Sequence, residues 1–145
     1  MKELPQERLG ISIGGLAMAE SALAHTIEYV KERKAFGKPI AGFQNTQFKI
    51  AEMHTKLEVA RAYVDRCLEL HLKKELDIPT AAAGKYYITD LQCEVIDECL
   101  QLHGGYGYMW EYPIARMFAD SRVQRIYGGT NEIMKGIVAK AVLAD

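Results

Sequence analysis

The chain is 145 residues long, 49% hydrophobic and 26% charged, and its 18 basic and 19 acidic residues leave a net charge of -1. This is the composition of one globular domain. It lacks the basic excess that broad binding to nucleic acid or an anionic membrane needs, and no apolar run reaches the ~18 residues of a membrane span. Cys67, Cys93 and Cys99 are odd in number and have no metal-ligand spacing. They read as buried thiols of a reducing compartment, with no disulfide framework and no metal site. The first eight residues carry no signal-peptide pattern.

The pattern is helical almost throughout. From Pro5 to about Lys34, Leu9, Ile13, Leu16, Ala17, Leu23, Ala24, Ile27 and Val30 form one stripe, and Pro5 suits a first turn, where its missing N–H costs nothing. Gly10, Gly14 and Gly15 each weaken this helix by roughly 1 kcal/mol relative to Ala, which close packing or a ligand would offset. Phe36-Gly37-Lys38-Pro39 ends it, with glycine as C-cap and proline as stop. A second helix spans about Gln44 to Lys73, with Ile50, Met53, Leu57, Ala60, Val64, Cys67 and Leu68 on one face. Asp77-Ile78-Pro79-Thr80 is a turn and cap. A third helix follows from Thr80 to His103 through Ala82, Tyr86, Leu91, Val95, Cys99 and Leu102, and the glycines at 104, 105 and 107 end it. Pro113 opens a shorter helix to about Arg122, Tyr127-Gly128-Gly129 is a turn, and Thr130, with Glu132 close behind, caps a last helix to about Leu143. No strand pattern or repeat is visible. The expected fold is all-α, an up-and-down four-helix bundle with an extra short helix.

The residues that could carry chemistry sit at helix ends and glycine turns. The breaks at Gly104–Gly107 and Gly128–Gly129 are either plain turns or places where backbone approaches a flat or phosphorylated ligand; neither has the strand context of a dinucleotide-binding glycine motif. Arg33 and Phe36 offer a cation and a ring, and are equally a solvated helix end. Gln44, Gln47 and Gln101 are amides near helix ends. Glu7 lies one turn into the first helix beside Arg8; a carboxylate at an apolar pocket can act as a base, although a first-turn glutamate is more commonly solvent-exposed. His25, His54 and His71 read as surface residues.

The order of these positions is more specific than any one of them. Arg33-Lys-Ala-Phe36-Gly37, Phe43-Gln44-x-x-Gln47, Gln101-Leu-His-Gly104-Gly105-Tyr-Gly107-Tyr, Tyr112-Pro113, Arg122 and Ile126-Tyr127-Gly128-Gly129-Thr130-Asn131-Glu132-Ile133 follow one another along the chain. In this order and spacing they resemble the C-terminal domain of the flavin-dependent acyl-CoA dehydrogenases over essentially the whole chain. The opening run Met1 to Leu9, Tyr108-Met-Trp110-Glu-Tyr112-Pro and the late Gly-Gly resemble the long-chain branch.

The resemblance implies a domain, residues 1–145, of a longer protein whose N-terminal helical and middle β domains lie upstream. It implies α,β-dehydrogenation of an acyl-CoA thioester: a glutamate takes the α-proton, the β-hydride passes to FAD, and electrons leave to electron-transferring flavoprotein. Most of the family carries the glutamate in the late turn, where this chain has Gly128. The long-chain and isovaleryl branches carry it on the first helix, and Glu7 matches that position. Arg33, Phe36, Gln44 and the segment Gln101, Leu102, His103, Gly104 and Gly105 match contacts to the FAD of a neighbouring subunit. Thr130, Asn131 and Glu132 match contacts to FAD in the chain's own site. Pro5, Gln6, Glu7 and Arg8, together with Gly128 and Gly129, match acyl-CoA contacts, and Ile13, Gly14 and Gly15 are candidates for the acyl cavity wall. A cofactor site divided between subunits implies a dimer or tetramer. The compartment expected is the cytoplasm of a bacterium or the mitochondrial matrix, and the domain alone is expected to be inactive. The competing expectation is a non-catalytic helical scaffold.

Overall fold

The computed structural model describes residues 4–144. The first three residues of the Met1-to-Leu9 match lie outside them, as does Asp145. The helices are α1 (Leu4–Glu32), α2 (Gln44–Leu72), α3 (Ile78–His103), α4 (Pro113–Ser121) and α5 (Asn131–Val142). No helix of the described residues is long and apolar enough to cross a membrane. Local chemistry sets most of the boundaries. The Asp77 side chain accepts from the Thr80 backbone N–H at 2.7 Å, with Pro79 in the first turn of α3. Pro113 sits in the first turn of α4, and the Thr130 hydroxyl accepts from the Ile133 N–H. Each cap meets an N–H group that the helix itself leaves without a partner.

α3 is the hub, packed against α1, α2, α4 and α5. Its contacts with α1 advance together along both helices: a Cβ built at Gly84 would lie 3.4 Å from the Ser12 hydroxyl, one at Gly15 would lie 3.5 Å from Ile88, and Tyr29 stacks on His103. α1 and α3 are therefore parallel, as an up-down-up order requires. Leu16, Leu23, Met53, Leu57, Ile88, Val95, Ile96, Cys99 and Ile114 form the shared core.

Three details depart from the sequence expectation. First, α1 ends at Glu32, and the segment expected to be its C-cap is a two-residue hairpin, β1 (Lys34–Ala35) against antiparallel β2 (Lys38–Pro39). Phe36 and Gly37 form its turn with φ of 51° and 82°, the positive angles that suit a tight hairpin. A left-handed phenylalanine costs of order 1–2 kcal/mol. Second, Ile13, Ala17, Ala24 and Leu68 are exposed. Third, the buried faces of α1 and α3 include Arg8, Ser12, Thr26, Lys85, Thr89 and Gln92. Ser12 and Thr26 are tolerated there because their hydroxyls donate to the carbonyls of Arg8 and Ala22, one turn back, at 2.9 and 2.8 Å.

A buried polar network fixes α5 to α3. Lys85 has no exposed surface. Its ammonium donates to the Gly129 carbonyl and to Asn131 Oδ1, both at 2.8 Å. The Asn131 amide donates onward to Asp90 at 2.9 Å, the Thr89 hydroxyl at 3.0 Å and the Tyr86 carbonyl at 3.3 Å, and Asp90 is paired with Arg125 at 2.6 Å and Lys135 at 3.7 Å. Burial pushes the Lys85 pKa down, Asp90 opposes that shift, and Arg8 adds to it. Asn131→Ala leaves the ammonium with one acceptor and removes the two amide N–H donors that Asp90, Thr89 and Tyr86 share; it should destabilise the protein by about 3 kcal/mol, read from urea unfolding midpoints.

The other end of the bundle is closed by aromatic rings. Tyr29 stacks on buried His103 with centroids 4.2 Å apart, Tyr112 packs edge-on against both, and the Tyr29 hydroxyl donates to the His103 carbonyl at 3.1 Å. His103 Nδ1 lies 2.8 Å from the Cys99 carbonyl and so carries the ring proton. Burial lowers the His103 pKa, partly opposed by that hydrogen bond. The unfolded imidazole, near pKa 6.5, therefore takes up a proton before the folded one does. Stability should be level above about pH 6.5 and fall as pH drops below it. Denaturation across pH 5–8 should show this slope, and His103→Gln should flatten it.

Candidate active site and cofactor groove

The first cluster forms where the start of α1 meets the turn before α5. Glu7 lies in the first turn of α1 with its side chain exposed. A Cβ built at Gly128 would stand 4.0 Å from Glu7 Oε1 and 2.5 Å from Ile11 Cδ1. Gly128 and Gly129 have φ of 65° and 94°, so the turn requires glycine twice over, by dihedral and by space. The carboxylate of Glu7 thus stands beside the position where this turn has no side chain. Pro5 and Gln6 share the same helical turn, Pro5 half-buried and Gln6 exposed.

Arg8 differs from the sequence expectation of a substrate contact. It is buried, with Nε 3.5 Å from the Gly128 carbonyl, so its side chain faces the bundle and not the surface. The three residues after Gly129 also separate by burial. The Thr130 hydroxyl is the helix cap and the Asn131 side chain is fully engaged within the chain; a ligand here would meet the Thr130 and Asn131 backbone and the exposed Glu132. The Glu132 carboxyl is held below its ordinary pKa first by its own backbone N–H, then by the Thr130 hydroxyl. Ile13 and Gly14 are exposed and could face a ligand, whereas Gly15 packs against Gln92 and Ile88.

The second cluster lies at the far end of α1. Arg33, Gln101, Leu102, His103, Gly104 and Gly105 line one open groove of about 570 Å³, together with Tyr29, Ala35, Ile40, Tyr106 and Met109. Gly104, with φ of 59°, breaks α3 after His103. Nothing stands within 4 Å of a Cβ built at Gly104 or Gly105, so backbone is open to the groove there. The Arg33 guanidinium sits 5.2 Å from the Tyr106 ring centroid. Phe36 does not line the groove; it projects from the hairpin turn next to Ala35, which does, and is 95% exposed, with Phe43 edge-on at 6.3 Å. Gln44 opens α2 and is exposed, and the Gln47 amide donates to the Ala41 carbonyl at 3.1 Å. The residues fit part of a dinucleotide: a cation for phosphate, an unhindered backbone and aromatic edges for a ring.

Glu7 and Arg33 are separated by 26 residues of nearly continuous helix, about 39 Å. Lys85, Ile11 and Tyr106 belong to these sites but were not singled out from the sequence; the signal available was Lys85 standing in register with the buried positions Ala81, Ala82 and Ile88. Among the described residues no group of three or more His, Cys, Asp and Glu is placed to hold a metal ion.

Comparison with known proteins gives the same answer for the whole chain. The family described as "Acyl-CoA dehydrogenase, C-terminal domain" matches residues 1–143. The long-chain specific acyl-CoA dehydrogenase, mitochondrial, of Mus musculus is 53% identical over 145 residues, all of this chain and 34% of that protein. The crystal structure of acyl-CoA dehydrogenase from Geobacillus kaustophilus superposes with a TM-score of 0.97 at 44% identity, covering 99% of this chain and 38% of the other. A Mycobacterium smegmatis glutaryl-CoA dehydrogenase in complex with FADH2 (TM-score 0.94, 27% identity) covers 98% of this chain and 37% of its own. A structure described as an electron transferring flavoprotein of Acidaminococcus fermentans (TM-score 0.95, 37% identity) covers 98% and 37%. The chain spans about a third of the length of the curated relatives it matches. On the family match over residues 1–143 and this near-complete coverage, the chain belongs to the acyl-CoA dehydrogenase family, as its C-terminal domain.

Proposed function

We propose that the chain is the C-terminal part of an FAD-dependent acyl-CoA dehydrogenase that converts acyl-CoA to trans-2-enoyl-CoA, with Glu7 as the base. The observation that carries this reading is the pairing of Glu7 with Gly128: the acid absent from the turn is supplied by α1, within 4.0 Å of where that side chain would begin. When bound, FAD supplies the acceptor for the β-hydrogen of the substrate. Glu7 takes the α-proton, beside a turn that has no side chain at 128 because Ile11 Cδ1 packs against it there. Glu7 is exposed on this chain, and a base for so weak an acid needs a dry cover. The upstream domains that the family resemblance implies would provide it.

Arg33 would hold a phosphate of FAD, with Gly104 and Gly105 giving close backbone approach and Phe36 packing on the cofactor. The two clusters lie about 39 Å apart along α1, farther than one dinucleotide spans. One chain's Glu7 and its own Arg33 would therefore serve different cofactors, which supports an oligomer with sites divided between subunits. The FADH2 complex of one relative and the electron-transferring flavoprotein description of another support the cofactor and the electron acceptor.

In the full-length enzyme, Glu7→Gln should lower kcat by roughly 10³-fold with flavin content unchanged. Full activity in that variant would place the base elsewhere, and a full-length protein without flavin would favour the scaffold reading. Residues 1–145 alone should purify colourless and without turnover, because each cluster is open on one side; a yellow, flavin-bearing domain would contradict this.

A further inference from the structure

Arg8 is a buried cation that the reading above leaves without a task. It is 6% exposed. Its Nη1 is enclosed and has no hydrogen-bond partner among the described residues, and Nε reaches only the Gly128 carbonyl, at 3.5 Å. Among the described residues no carboxylate pairs with it; a cation buried in this way is costly, and a fold that keeps one uses its reach or its charge. Lys85 approaches the same turn from α3 and holds the next carbonyl, that of Gly129, at 2.8 Å. Gly128 and Gly129, both at positive φ, have no side chain to stiffen the turn. Two cations from two helices thus grip consecutive carbonyls of a soft turn.

The helix places neighbouring residues about 100° apart. Glu7 faces the surface while Arg8 faces the turn. The contact from Arg8 to Gly128 therefore fixes the turn against the residue next to the proposed base, and with it the 4.0 Å approach of Glu7 Oε1 to the Cβ position of Gly128.

We infer that Arg8 is a positioning residue: it ties α1 to the Gly128–Gly129 turn and so sets where the Glu7 carboxylate stands relative to that turn. The inference rests on the reading of Glu7 as the base. It replaces a role for Arg8 in touching substrate, since the guanidinium is turned away from the surface.

The test compares Arg8→Gln, Arg8→Lys and a core truncation in mid-α3, Val95→Ala, in the flavin-loaded full-length enzyme. For Arg8→Gln, kcat should fall roughly 10- to 100-fold, the loss expected when a reacting group is displaced by about an ångström. KM should stay within about threefold of the parent and the isotope effect with α-deuterated acyl-CoA should rise, since a misplaced base slows proton removal more than binding. Arg8→Lys should recover part of kcat, and Val95→Ala should lose stability with kcat and isotope effect unchanged. The inference is overturned if Arg8→Gln behaves as Val95→Ala does, or if KM rises while kcat holds. Should Arg8→Gln fail to fold, Arg8→Lys decides: parental kcat and isotope effect there overturn it equally. Glu7→Gln in the same assay separates the two failures, because a loss there beside an unaffected Arg8→Gln removes only the positioning role.

Discussion

The arrangement depends on a lysine ammonium that never meets water. Lys85 lies wholly inside the bundle and holds the Gly129 carbonyl and the Asn131 amide oxygen. Through them it seats the start of α5 and the glycine turn on the central helix. No carboxylate touches the ammonium directly among the described residues; Asp90 is reached only through Asn131. Such a network stabilises only when every member is satisfied, which makes it a specifier of geometry more than a source of stability. The turn it holds carries no side chain of its own at 128 or 129, so its position must come from partners outside it.

Much of the architecture was legible along the chain because helix ends are local events. Pro5, Asp77, Pro113 and Thr130 announce first turns by chemistry confined to a few neighbours. The Phe36–Gly37 hairpin was not legible, since it needs a phenylalanine in a conformation usually left to glycine or asparagine. The buried faces were only partly legible. Arg8, Lys85 and Gln92 occupy core positions, and the contacts that make Lys85 acceptable come from residues 44 and 46 positions away. A polar residue whose partners are that distant reads as a surface residue, and Ile13, exposed in the structure, was taken into the stripe instead.

The two clusters differed in how they could be found. The groove at Arg33 and Gln101–Gly105 gathers residues that look ordinary one by one, and only their order along the chain linked them to one ligand. Glu7 and Gly128 were linked by a substitution, an acid missing from one place and present in another, and the fold sets them side by side. What the resemblance could not convey is direction. Adjacent residues of one helical turn face opposite environments, so Glu7 meets the surface and Arg8 the interior although both matched the same kind of contact. Likewise Asn131 matched a cofactor contact, yet its amide is engaged inside the bundle.

The length of α1 has a consequence for inheritance. Its 29 residues place the proposed acid and the dinucleotide groove at opposite poles of one rod. If each pole serves a different catalytic centre, a polypeptide defective only at Glu7 and another defective only at Arg33 are not equivalent. Co-assembled in one particle, they would leave some centres with two sound halves. Alleles that are each inactive alone would then restore activity to one another when expressed together, a pattern that a self-contained monomer cannot show.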